Sequence, residues 1–146
     1  MKQKGYKFVS HTADVELIAV GRSASEAFKN AALALFDTSA DISKVRRSKG
    51  KTTTLKIKDK ADNLKDLLWF MLQDVLSMAD SKGVYGYKVK KMQIKEKNEG
   101  YFINAEFFAK PQNPKLSVIY VKGVSRFDLK VIHAQKGFKI SAVLDV

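Results

Sequence analysis

Asp14-Val15-Glu16-Leu17-Ile18-Ala19-Val20-Gly21-Arg22-Ser23-Ala24-Ser25-Glu26-Ala27-Phe28 holds a strand, a stop and a helix start in immediate succession. Val15 to Val20 is apolar at both alternating positions, the pattern of a central strand. Gly21-Arg22 ends it. Ser23, with Glu26 three residues on, forms a capping box, and Ala27, Phe28, Ala31, Ala32, Leu35 and Phe36 then recur at helical spacing. A helix over 24–36 that lays this stripe on a sheet is the prediction.

Upstream, Tyr6 to Val9 is a short strand, and Ser10-His11-Thr12-Ala13-Asp14 is a polar, acid-bearing turn at the mouth of the central strand. Downstream, Asp37–Gly50 reads as an irregular surface stretch, with Lys44, Arg46, Arg47, Lys49 and Lys51 crowded around Val45. Thr52 to Lys58 alternates with β-branched residues, a strand with one lysine-bearing side, placed at an edge or on a solvated face. Leu64, Leu67, Leu68, Met71, Leu72, Val75, Leu76 and Ala79 mark a long amphipathic helix, capped at Asp62 or Asn63 and stopped at Ser81-Lys82-Gly83. Trp69 flanks its stripe.

From Val84 onward the pattern is strand upon strand. Tyr85, Tyr87 and Val89 share one parity and Met92 and Ile94 the other, which predicts a bulge at Lys90-Lys91. Asn98-Glu99-Gly100 turns the chain into a strand over 101–108. A two-proline loop then leads to strands over Val118 to Val124, from Phe127 through Val131, and from Phe138 through Leu144. The architecture expected is one α+β domain over residues 1–146, with two helices on one face of a mostly antiparallel, twisted sheet and a lysine-rich opposite face.

Composition narrows the function classes. The 146 residues can bury roughly 70% of the surface their unfolded chain would expose. With no cysteine, disulfides, thiolate nucleophiles and Cys-based metal sites are excluded, and the reducing cytoplasm is the expected compartment. No apolar run approaches the ~20 residues of a membrane span. The 27 Lys and Arg outnumber 15 Asp and Glu, a net charge of +12 that suits either a polyanion partner or a simply solvated surface. There is no glycine-rich phosphate loop, and His11 and His133 have no serine or acid partner at triad spacing, so neither a nucleotide-binding enzyme nor a nucleophilic hydrolase is supported.

The acids carry more. Asp14 closes the turn before the central strand, and Asp145 stands beside Val146 and its carboxylate. If the first and last strands are neighbours, these carboxylates converge and suit a hard divalent cation, calcium or magnesium. The alternative is that Asp14 only accepts turn hydrogen bonds and Asp145 lies at a frayed end.

His11-Thr12-Ala13-Asp14, the Glu26 to Phe36 helix with its Ala-Ala-Leu-Ala-Leu-Phe run, the Leu64 to Ala79 helix and the closing Val143-Leu144-Asp145-Val146 together resemble the archease family, in order across nearly the whole chain. The resemblance implies an α+β protein that is not itself an enzyme. It implies an activator of the GTP-dependent RNA ligase of tRNA splicing and RNA repair, which joins 2′,3′-cyclic-phosphate or 3′-phosphate ends to 5′-hydroxyls. The activator speeds ligase guanylylation and permits multiple turnover. It also implies a metal site, expected for calcium, at Asp14 and Asp145, with Val146 as a backbone ligand and Asp37, just past the first helix, as a further member. Arg126 and Phe127 stand where the family more often has a Tyr-His pair, and Phe108-Ala109-Lys110 lacks the usual Gly-Glu. Many relatives are acidic where this chain is basic. A second reading is therefore a stand-alone basic RNA-binding or RNA-chaperone module that uses Lys44, Arg46, Arg47, Lys49 and Lys51. Metal-assisted phosphoester hydrolysis at Asp14 ranks last, since no base or cationic clamp accompanies it.

Overall fold

A computed structural model describes residues 5–10 and 14–146, so His11, Thr12 and Ala13 of the predicted turn lie outside the described residues. In chain order, the described elements are β1 (Tyr6–Ser10), β2 (Asp14–Gly21), α1 (Ala24–Ser39), α2 (Ile42–Arg47), β3 (Thr53–Ala61) and α3 (Leu64–Lys82). Then follow β4 (Val84–Lys97), β5 (Gly100–Pro111), β6 (Gly123–Val124), β7 (Lys130–Ala134) and β8 (Gly137–Asp145). The class is α+β, as expected. Two features differ from the expectation: the strands divide between two antiparallel sheets, and a third, short helix is present.

One sheet runs β1-β2-β8-β6, with β7 also on β8; the other runs β3-β5-β4. β6 and β7 share one edge of β8, since Gly123 and Val124 face Asp145 and Leu144 while Lys130 to Ala134 face Ser141 to Gly137. Helices α1 and α3 each touch both sheets. A single core therefore joins Leu17, Ile140 and Leu144 from one sheet, Leu55, Ile103 and Phe107 from the other, and the helices between them.

That position explains the sequence of α1. A helix with strands on both sides has no wide solvent face, and Ala27, Phe28, Ala31, Ala32, Ala34, Leu35, Phe36 and Thr38 are all buried. Its many alanines let backbones approach closely. Ser23 caps it by accepting from the Glu26 amide at 3.1 Å, as the capping box predicts. Asn63 caps α3 by accepting from the Asp66 amide at 2.8 Å, and Gly83 ends it in the left-handed region at φ 66°.

The stretch Asp37–Gly50 is not irregular. Its first residues complete α1, and Asp41 then caps α2 by accepting from the Ser43 and Lys44 amides. Val45 is the anchor of this short helix, fully buried with Ala40, Leu116 and Tyr87 in a small second core. The strand expected over Val118 to Val124 shrinks to Gly123–Val124, and the run from Phe127 pairs only from Lys130. The bulge in β4 is present, with register shifts between Gly86 and Lys88 and between Val89 and Lys91.

Candidate functional site

β2 and β8 lie side by side and antiparallel, and their register sets Asp14 directly opposite Asp145. The condition placed on the acids is thus met by β2 rather than by the first strand, β1. Along β8, Leu144 and Ala142 are buried, so Asp145 projects with Val143 to the other side of the sheet, exposed, and Asp14 projects with it. Directly opposed side chains sit within about 5.5 Å at Cβ, and like charges there repel. Among the described residues, Asp14 Oδ1 is buried with no hydrogen-bond partner, a costly state for a carboxylate oxygen.

Asp145 is held from its other edge as well: its carbonyl accepts from the Lys122 amide at 2.7 Å. The segment leading to Lys122 is an exposed apolar strap, Val118, Ile119 and Tyr120, the last 67% exposed. The acid pair therefore sits at the end of a sheet, beside apolar surface. Val146 is half-buried and packs against the core.

Asp37 is placed differently from the expectation. It lies inside the last turn of α1 rather than past it, and its Oδ2 accepts from the Tyr6 hydroxyl at 2.9 Å. Burial and this carboxylate together push the Tyr6 hydroxyl well above the usual phenol range. Among the described residues no group of three or more His, Cys, Asp or Glu side chains gathers to hold a metal. What the structure brings together is the Asp14–Asp145 pair. It offers hard oxygens on adjacent strands, one of them without a hydrogen-bond partner among the described residues, which fits the start of a calcium shell; the remaining oxygens of such a shell are ordinarily carbonyls and water.

The basic cluster is solvent-facing, with Lys44, Arg46, Arg47, Lys49 and Lys51 all exposed. Lys110 reaches across from β5 to donate to the Arg46 and Ser48 carbonyls at 2.7 and 2.9 Å, closing the C-terminal end of α2. His133 is exposed and stacks on Phe138 at 4.2 Å. Arg126 and Phe127, the departures from the family pattern, part ways: the Arg126 guanidinium lies 4.8 Å from the Trp69 ring centroid, whereas Phe127 is 93% exposed. Trp69 is tied in turn by its Nε1, which donates to the Val124 carbonyl at 2.9 Å.

A second acidic pair went unread in the sequence. Asp59 of β3 faces Asp74 of α3; its Oδ2 is buried without a hydrogen-bond partner among the described residues. Burial, then the neighbouring Asp74 carboxylate, push Asp59 up to about 7. Its parity with Leu55 and Ile57, among alternating lysines, was the available signal.

The model of the archease protein family matches residues 6–146. The Methanosarcina barkeri protein archease is 28% identical over 145 residues, 98% of this chain and 97% of that one. Its Pyrococcus abyssi counterpart is 25% identical over 130 residues, 88% of each. The solution structure of Methanobacterium thermoautotrophicum protein 1598 superposes with a TM-score of 0.81 at 25% identity, covering 99% of this chain and 100% of that one. The crystal structure of a Thermotoga maritima archease, described as a possible chaperone, shares the fold with a TM-score of 0.61 at 18% identity over 96% of each chain.

Proposed function

This chain belongs to the archease family, and from that premise we propose that it is a non-catalytic protein partner that activates a GTP-dependent RNA ligase. The ligase joins 3′-phosphate or 2′,3′-cyclic-phosphate ends to 5′-hydroxyls in tRNA splicing and repair. The activator promotes formation of the guanylylated ligase and its turnover. Cytoplasmic residence belongs to the same reading, in keeping with a chain that has no cysteine.

The observation that carries the reading is the register of Asp14 on Asp145, with one oxygen of Asp14 buried and without a hydrogen-bond partner among the described residues. Two carboxylates held face to face by backbone hydrogen bonds form a preorganised acidic end to the sheet, and Asp145 is fixed from both of its edges. Asp14 and Asp145 would hold a divalent cation, calcium in this reading, with Val146 contributing backbone oxygen; Asp37 remains a more distant candidate that Tyr6 already engages. When bound, the cation supplies positive charge that relieves the repulsion of the pair. The strap at 118–120 gives the ligase an apolar surface next to this end.

The test mixes the protein with the ligase of its own organism and GTP, and measures the guanylylated fraction. Stimulation by the native chain is expected. Asp14→Asn and Asp145→Asn should lose it while their melting temperatures in chelator stay level or rise, because neutralisation removes a cross-strand repulsion. Calcium should raise the melting temperature of the native protein and of neither variant. Full stimulation by both stably folded variants would sink the role assigned to the pair.

A further inference from the structure

The outer face of the β3-β5-β4 sheet has the chemistry of a single-stranded nucleic-acid platform. On β3, Leu55 and Ile57 point into the core, while Lys56, Lys58 and Lys60 are exposed on the opposite side. On β5, Ile103, Ala105 and Phe107 point inward, so Phe102, Asn104 and Glu106 share the outer side with those lysines. The register bears out the rows, with Lys56 beside Glu106, Lys58 beside Asn104 and Lys60 beside Phe102. Across β5, β4 sets Gln93 beside Asn104 and Lys95 beside Phe102. The bulge in β4 turns Lys90 to the same side, where its ammonium lies 3.5 Å from Glu106.

A row of lysines thus runs down each edge strand, and the charges on this side of the middle strand are already engaged, Glu106 by Lys90 and Lys110 by the Arg46 and Ser48 carbonyls. Phe102, on the middle strand close to the β4–β5 turn, is 41% exposed. Its neighbours on the sheet cover part of the ring and leave the rest open to solvent. Phe108, farther along the same side of β5, packs against the small core that anchors α2. The exposed Lys44, Arg46 and Arg47 of that helix therefore border one end of the face and extend its positive field.

We propose that this face binds single-stranded nucleic acid, with phosphates along the two lysine rows, a base stacked on Phe102, and base edges within reach of Asn104 and Gln93. The charge selects a polyanion. The exposed ring and the amides between the rows select one whose bases are unstacked and available, because a duplex presents only phosphates to a flat sheet. An acidic protein surface would satisfy the lysines but would leave no reason for a partly exposed aromatic between the two rows. The proposal does not depend on the ligase reading, and its test contains no ligase.

The experiment follows fluorescence anisotropy of labelled twelve-nucleotide oligo(U) and oligo(dT), and of a duplex of equal length, titrated with the full chain across a salt series. Both single strands should bind more tightly than the duplex; a preference for oligo(U) would identify RNA as the ligand and a preference for oligo(dT) would identify DNA. Phe102→Ala should weaken single-strand binding roughly tenfold or more and leave the salt slope unchanged, and Phe102→Tyr should restore affinity. Lys56→Gln with Lys58→Gln and Lys60→Gln should flatten the log–log salt slope by about 0.7 for each phosphate that these lysines no longer neutralise. Circular dichroism melts of each variant establish that it is folded. Equal affinity for duplex and single strand, or folded Phe102→Ala binding as tightly as the native chain, would overturn the proposal. So would competition by polyglutamate at equal charge concentration, which would identify a merely acidic partner.

Discussion

Asp59 shows what a single residue inherits from its neighbours. Its strand would carry lysine after lysine, yet at this position the side chain turns inward toward α3 and meets another acid, Asp74. Its proton is held up to about 7, well above the ordinary carboxylate value near 3.8. Because the folded state binds this proton more tightly than the unfolded chain, ionisation opposes folding. The penalty is absent below about pH 4, grows as pH rises through the window between the two values, and is complete above about 7. Asp80 on α3, also raised by burial and partly relieved by the Tyr120 hydroxyl, acts in the same sense. Asp59→Asn should therefore raise the melting temperature at pH 8 and leave it little changed at pH 4, with a flatter profile between. Parallel profiles for native and variant proteins would show that Asp59 ionises freely. Which acids matter was only partly legible in the sequence. Asp14 and Asp145 stood out by position, but the bond from Tyr6 to Asp37 depends on how β1 meets the end of α1, and no local pattern carries that.

At the scale of elements, the connection from α3 into β4 holds two glycines that do different work. Gly83 adopts φ 66°, and a Cβ there would meet nothing within 4 Å. Gly83→Ala should cost about 1 kcal/mol through the backbone alone. Gly86 has no unusual dihedral, but a Cβ there would lie 2.5 Å from the Phe36 ring, which packs edge-on against Phe107 at 5.5 Å. Gly86→Ala should cost about 1–3 kcal/mol by overpacking. Phe36→Leu should recover part of that cost in the double variant, whereas it should do nothing for Gly83→Ala; urea denaturation of the cycle separates the two. Equal, additive losses would mean that Phe36 moves aside freely. The long helices were legible because their caps and stripes are local. α2 was not: it buries a lone Val45 among exposed charges, too little apolar periodicity to mark a helix, and its one signal was Asp41 placed to cap it.

Across the whole molecule, the count and rough position of most strands could be read from alternation, but not their division into two sheets. Alternation tells which side of a strand is buried and is silent about which strand lies beside it. The same silence hid the sandwiched setting of α1 and α3, since a stripe that packs on one sheet and a helix enclosed by two differ mainly in how many alanines fill the remaining face. The lysine-rich outer face was anticipated, and the structure assigns it to the β3-β5-β4 sheet.

The partnership of β2 with β8 also sets an order of events in time. Asp14 and Asp145 are paired across about 130 residues of intervening chain, a long loop to close before any contact rewards it. By contrast, β3, α3, β4 and β5 lie consecutively and complete their sheet among themselves. During synthesis, residues 53–111 can assemble while one edge of β2 still waits for β8 to leave the ribosome. The edge of β2 that β8 will pair stays open through that interval, and a nascent chain in this state is a natural client for holding factors. Pulsed hydrogen exchange during refolding should protect β4 and β5 amides before those of β2; simultaneous protection would mean that the two sheets form in one concerted step.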